Sequence, residues 1–188
     1  MTLNSPSDAA LVLAMQTWLE RAVIGLNLCP FAKAVHVKGQ IHYAVCHATD
    51  AEALREALAA ELDALMAEDA LVRDTTLLIV PDMLADFLDF NDFLAEADDL
   101  LDERGLEGTV QIASFHPDYQ FGGTKPDDIT NYTNRAPYPT LHLLREASVE
   151  RAVEAFPEAE AIFERNMDTL EALGHEGWQA LGLGPATT

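Results

Sequence analysis

The sequence predicts an α/β domain: a layered sandwich with a small, mainly parallel sheet built on a βαβαβ core and flanked by helices. Three observations carry this. Short β-branched or apolar runs occur at residues 41–45, 75–80 and 109–115, amphipathic stretches of helical period lie between them, and the connections are short. Strand, helix and strand joined that way imply parallel crossovers, so at least three parallel strands are expected. A ferredoxin-like α+β arrangement with an antiparallel sheet is the alternative. With 188 residues, 49% of them hydrophobic and 23% charged, the chain is expected to fold as one domain, 1–188.

The elements follow in order. Ser5-Pro6-Ser7-Asp8 reads as a helix start, with a serine cap, proline at the first helical position and an acid near the positive end of the helix. Leu11, Val12, Met15, Trp18, Leu19, Val23 and Leu26 then keep helical spacing, and the helix should stop near Asn27, before Pro30. Val35-His36-Val37 and the stronger run at 41–45 flank Lys38-Gly39-Gln40 and read as two strands, which would set His36 opposite His42. Thr49 and Glu52 form a capping box for a helix whose inner face is Leu54, Leu58, Leu62 and Leu65.

The run at 75–80, closed by Pro81, has the continuous apolar character of a buried strand. A further helix should bury Leu84, Phe87, Leu88, Leu94, Leu100 and Leu101 and end at Gly105. Residues 140–174 are expected to be helical, with Pro157 opening a last helix along Ala161, Ile162, Met167 and Leu170 and Gly174 closing it. The tail after Trp178 is expected to be mobile.

Charge is unevenly spread. The net charge is −21, and residues 50–107 hold 18 acids against 3 bases. Residues 21–49 carry no acid, and 108–145 balance three acids with three bases. Such an acidic surface repels phosphate backbones and anionic lipid, so neither nucleic acid nor membrane is an expected partner. The opening Met-Thr-Leu-Asn lacks the basic and apolar regions of a signal peptide, and no apolar run reaches the length of a membrane span. A cytoplasmic location is therefore expected, and the two cysteines, Cys29 and Cys46, suit a reducing compartment.

The two acid-poor segments hold five of the six histidines and both cysteines. Between Phe115 and Thr140 the chain loses periodicity for about 25 residues, yet it is dense in Tyr, Phe, Pro and Gly. A loop of that length and composition is expected to be packed and functional rather than disordered. It begins where a strand ends, the edge at which α/β sheets hold ligands, and His116 and His47 should share that edge.

Three blocks, Leu-Asn-Leu-Cys-Pro-Phe-Ala-Lys at 26–33, Phe-His-Pro-Asp-Tyr-Gln-Phe-Gly-Gly-Thr at 115–124 and Asn-Arg-Ala-Pro-Tyr-Pro-Thr-Leu-His-Leu-Leu-Arg-Glu at 134–146, resemble the signature blocks of a bacterial domain-of-unknown-function family of about 180 residues. The likeness spans nearly the whole chain. It implies which blocks matter and no chemistry.

From the residues themselves, three sites compete. In the first, a small-molecule enzyme acts on an anionic substrate: Cys29 is the nucleophile, His116 or His142 the base, and Lys33, Arg135, Tyr138 and the amides of Gly122 and Gly123 hold the anion. Cysteine is also among the most buried residue types, and a structural Cys29 is the plainer expectation. In the second, His116, Asp118 and His142 supply the two imidazoles and carboxylate of a divalent-metal site, against which a His-Pro-Asp triplet is more often a turn. The third is a non-catalytic pocket for a small anion or a partner, built on Arg135, Lys125 and Tyr138, with Arg135 by default a brace for loop carbonyls. Gly122-Gly123-Thr124-Lys125 lacks the full spacing of a phosphate loop, which excludes a nucleoside triphosphatase.

Overall fold

A computed structural model describes residues 5–156 and 158–186. Helix α1 (Asp8–Trp18) is capped by Ser7, whose Oγ accepts from the Ala10 amide at 3.3 Å. Pro6 thus precedes the cap instead of opening the helix, because Ser7 holds the extended backbone a cap needs. The helix continues into a π-helical turn (Leu19–Ile24) and ends there, followed by a turn in which Asn27, at a φ of 54°, reverses the chain. Gly25 makes this exit possible: a Cβ there would stand 2.3 Å from the Arg21 carbonyl oxygen.

Helix α2 (Ala32–Val37) replaces the strand expected at Val35-His36-Val37. A strand there would need a partner beyond the sheet edge, whereas Ala32 N already donates to the Cys29 carbonyl and starts a turn of helix. His36 consequently reaches Glu20 at 3.3 Å and does not face His42. Strand β1 (Ile41–Val45) follows, then α3 (Ala51–Ala67), capped by Asp50 rather than Thr49, with the Ala53 amide 2.8 Å from its carboxylate. The four expected leucines of α3 are all fully buried, each contributing on the order of 2 kcal/mol of apolar transfer energy.

Strand β2 (Thr75–Ile79) is buried along its whole length. In α4 (Phe87–Glu103) the inner face is Phe90, Phe93, Ala97, Leu100 and Leu101, while Leu88 is exposed. The cap at Asp86 sets this helical phase, and Leu88 falls on the opposite side from Phe90. Strand β3 (Val110–Phe115) leads through the long loop and its 3-10 turn (Ile129–Asn134) to β4 (Thr140–Arg145), where a helix had been expected. Leu141 and Leu143 alternate into one core while His142 and Leu144 face the other, and pairing to β2 and β3 overrides the local helical reading.

The sheet order is β1-β2-β4-β3. β1 and β2 are parallel, and β4 runs antiparallel to both β2 and β3. The three strands of the expected βαβαβ core do share one direction, but β4 is inserted between the second and third, so the sheet is mixed rather than mainly parallel. The order of elements, β1-α3-β2-α4-β3-β4, also differs from the β-α-β-β-α-β order of a ferredoxin-like fold, and the parallel pair lies at one edge of the sheet. Helices α3 and α4 cover one face, and α1 with its π turn covers the other.

The chain ends with α5 (Glu146–Glu154), a 3-10 turn (Ala159–Ala161) and α6 (Ile162–Ala180). The expected helix start at Pro157 lies outside the described residues. Gly174, at φ 65° and ψ 176°, interrupts α6 where a stop was expected, and a short helical piece continues beyond it. The described part of the tail is docked: Leu181 and Leu183 pack on the α1 side, Arg21 Nη1 donates to Leu181 O at 2.9 Å, and the Ala186 amide donates to the Tyr138 hydroxyl at 2.6 Å. Among the described residues no helix is long and apolar enough to cross a membrane.

Candidate functional site

The loop leaving β3 is organised by a buried histidine. His116, fully enclosed, accepts the Asp118 amide on Nδ1 at 2.9 Å and donates from Nε2 to the Leu84 carbonyl at 2.9 Å. Those partners fix the neutral Nε2–H tautomer, and desolvation holds its pKa below the ordinary histidine value. Its ring lies between Phe87 and Phe90, and Leu84 keeps a φ of 58° to present its carbonyl. Asp118 is exposed at the start of the turn.

Asn131 ties the middle of the loop. Fully buried, it accepts from the Phe121 amide at 2.9 Å and the Thr124 hydroxyl at 2.8 Å, and donates to the Lys125 carbonyl at 2.8 Å. Gly122 and Gly123 form the exposed tip that this side chain closes. Arg135 donates to the Tyr119 and Pro126 carbonyls at 3.2 and 2.6 Å and lies 4.4 Å over the Tyr132 ring. Tyr138 is buried against α1 with its hydroxyl on the tail. The loop's polar groups largely bind the loop itself.

His142 sits across the sheet from His116. Because the Thr75 hydroxyl donates to the Leu143 carbonyl at 2.6 Å, the imidazole 2.7 Å away must be the donor to Thr75 Oγ1. The residue keeps some solvent contact, yet burial lowers its pKa to about 4. Its neighbour Phe115 packs on Trp18 of α1, whereas His116 packs on α4, so the sheet separates the two imidazoles. Cys29 lies half-buried on the α1 side; burial raises its thiol pKa, partly offset by hydrogen bonds from the Phe31 and Ala32 backbone. Lys33 is exposed on α2. Among the described residues no three His, Cys, Asp or Glu side chains converge as metal ligands.

One polar cluster was not anticipated. His47, just past β1, sits between Asp82, just past β2, at 2.5 Å and Asp8 of α1 at 2.8 Å. The parallel pairing of β1 and β2 brings their ends together, and the two carboxylates raise the His47 pKa. Each member lies in a different segment, so no local motif announces it.

A cavity of about 270 Å³ opens between the turn at residues 26–30 and α6. Leu26, Pro30, Phe156 and Ile162 give it apolar walls, and Asn27, Asn166, Asp168 and Thr169 supply polar groups. Asn166 is only 6% exposed, and its Nδ2 donates to the Leu28 carbonyl at 2.8 Å. Its Oδ1 accepts no hydrogen bond from any described residue. The sequence carried one sign of this: Asn166 stands midway between Ile162 and Leu170, at a core-facing position of the helix where an apolar residue belongs.

A family model described as "Protein of unknown function (DUF1415)" matches residues 10–180, and the chain belongs to that family. Comparisons with curated proteins and with solved structures find no match.

Proposed function

We propose that this protein is a small-ligand-binding module whose ligand occupies the cavity between the 26–30 turn and α6. The observation that carries this reading is Asn166: a nearly fully buried amide that fixes the turn with its nitrogen and leaves its oxygen free at the cavity wall. That oxygen is open to solvent in the cavity, and a ligand N–H or O–H would take the place of its water. Cavities near 300 Å³ suit metabolite-sized ligands, with apolar walls for affinity and a few polar groups for orientation.

Catalysis on an anionic substrate by Cys29, His116 and His142 ranks lower. Burial disfavours the thiolate, both His116 nitrogens already have partners, and the His142 nitrogen nearest Thr75 is held as a donor. A metal held by His116, Asp118 and His142 would need groups from both sides of the sheet. An anion pocket on Arg135 and Tyr138 would have to break their bonds to the loop and the tail.

The test is a thermal-shift screen of small metabolites on the wild type and on Thr169→Trp, which fills the cavity from α6. At a hundredfold excess over Kd a ligand stabilises by about 2.7 kcal/mol. The reading expects compounds that stabilise the wild type and not the variant. Compounds that stabilise both equally, or none at all, would reject it.

A further inference from the structure

The charged groups of this cavity are not balanced. Arg165, the base in its lining, is already engaged: Nη2 donates to the Glu158 carbonyl at 3.1 Å, Nη1 is 3.6 Å from the Glu158 carboxylate, and the guanidinium lies 5.2 Å over Phe156. It turns away from Asp168, three residues on, although that spacing commonly pairs opposite charges on a helix. Asp168 therefore has no ion-pair partner among the described residues. The Asn27 amide and the Thr169 hydroxyl can each donate or accept, the Asn166 Oδ1 is a further free acceptor, and Asp168 carries the cavity's unpaired charge.

We propose that the cavity binds a small organic cation, a protonated primary amine on a compact apolar body. The proposal rests on the cavity being a ligand site and adds the charge of what it takes. An ammonium group has three donors and no acceptor: the Asn166 oxygen and the Thr169 hydroxyl, three residues apart on one helical face, can accept from it, while the exposed Asp168 carboxylate at the rim attracts its charge. Leu26, Pro30 and Ile162 give the apolar body its contact surface. The net charge of −21 favours cations around the molecule as a whole, and an anion would meet an unpaired carboxylate with the nearby guanidinium already occupied.

The experiment uses three compounds of one shape and different charge: phenethylamine, 2-phenylethanol and phenylacetate. Binding to the full chain is followed by NMR at the Asn166 side-chain amide, in the wild type, Asp168→Asn and Asp98→Asn. The last removes one exposed acid on α4, so both variants change net charge equally. Phenethylamine should bind tightest and phenylacetate weakest. Asp168→Asn should weaken the amine about fivefold, while Asp98→Asn leaves it within about twofold, as expected for a local charge pair at a partly open site. Equal losses in the two variants, or an alcohol or acid that binds as tightly as the amine, would overturn the cation assignment while leaving the cavity a ligand site. If none of the three moves the Asn166 amide signal, while the metabolite screen yields hits that Thr169→Trp abolishes, the cation proposal alone fails. If that screen is also empty, the cavity reading falls with it.

Discussion

The Nε2 of His142 lies 2.7 Å from Thr75 Oγ1, and the Thr75 hydroxyl passes its own hydrogen to Leu143 O. The Nε2–H donates to Thr75 whether the ring is neutral or protonated, so what opposes protonation is burial of the charge. With a folded pKa of about 4 against an ordinary 6.5, the folded state binds fewer protons than the unfolded one between those values. The stabilisation is complete above pH 6.5 and is lost as pH falls toward 4. His142→Gln keeps an N–H donor for Thr75 and removes the titration. Urea midpoints at pH 7, 6 and 5 should fall less steeply in the variant, by up to about 1 kcal/mol per pH unit. Identical slopes would mean the ring is already hydrated.

His47 should titrate in the opposite sense. Its pKa is raised by Asp8 and Asp82, so the stability it contributes is full below the unfolded value near 6.5 and disappears as pH rises through the higher folded value. NMR titration should place His47 above 6.5, with Asp8→Asn and Asp82→Asn each lowering it. Because the ring is half exposed, the effect on stability is expected to be below about 1 kcal/mol. A pKa unmoved by both substitutions would show that the contacts do not persist in solution.

Asn131→Ala removes one side chain that serves Phe121, Thr124 and Lys125. A loss of about 2–4 kcal/mol is expected, since several buried groups lose partners together. Faster amide exchange should be confined to the loop between β3 and β4. A uniform rise in exchange across the sheet would instead mean that the loop and sheet open as one unit.

Cys29 is expected to be slow toward iodoacetamide at neutral pH, slower than a free thiol, because burial favours the protonated form. Mass spectrometry of the alkylated native protein reads this directly. Labelling faster than free cysteine would restore the nucleophile reading.

What the sequence disclosed was local. The Leu54-Leu58-Leu62-Leu65 stripe, the runs that became β1, β2 and β3, and the packed character of the loop all follow from periods or turn residues within a few positions. Arg135 proved a brace for carbonyls, the expected default for an arginine set between Asn134 and two prolines. β4 escaped because its strand character comes from Thr75 and its neighbours, about 65 residues earlier, and a Leu-His-Leu-Leu run alone suits a helix as well. His47 escaped for the same reason, with its carboxylates 39 and 35 residues away. The cavity needed α6 brought against the 26–30 turn, and only the misplaced polarity of Asn166 hinted at it.

The insertion of β4 has a consequence for how the chain comes off the ribosome. Until residues 140–145 emerge, β2 lacks the neighbour on one side and β3 has no ladder partner at all, although β1, α3 and α4 are already made. The nascent chain therefore carries bare strand edges of the kind that recruit other chains. A truncation before Thr140 should be aggregation-prone even though it contains three of the four strands, and the last strand to be synthesised is the one that closes the sheet.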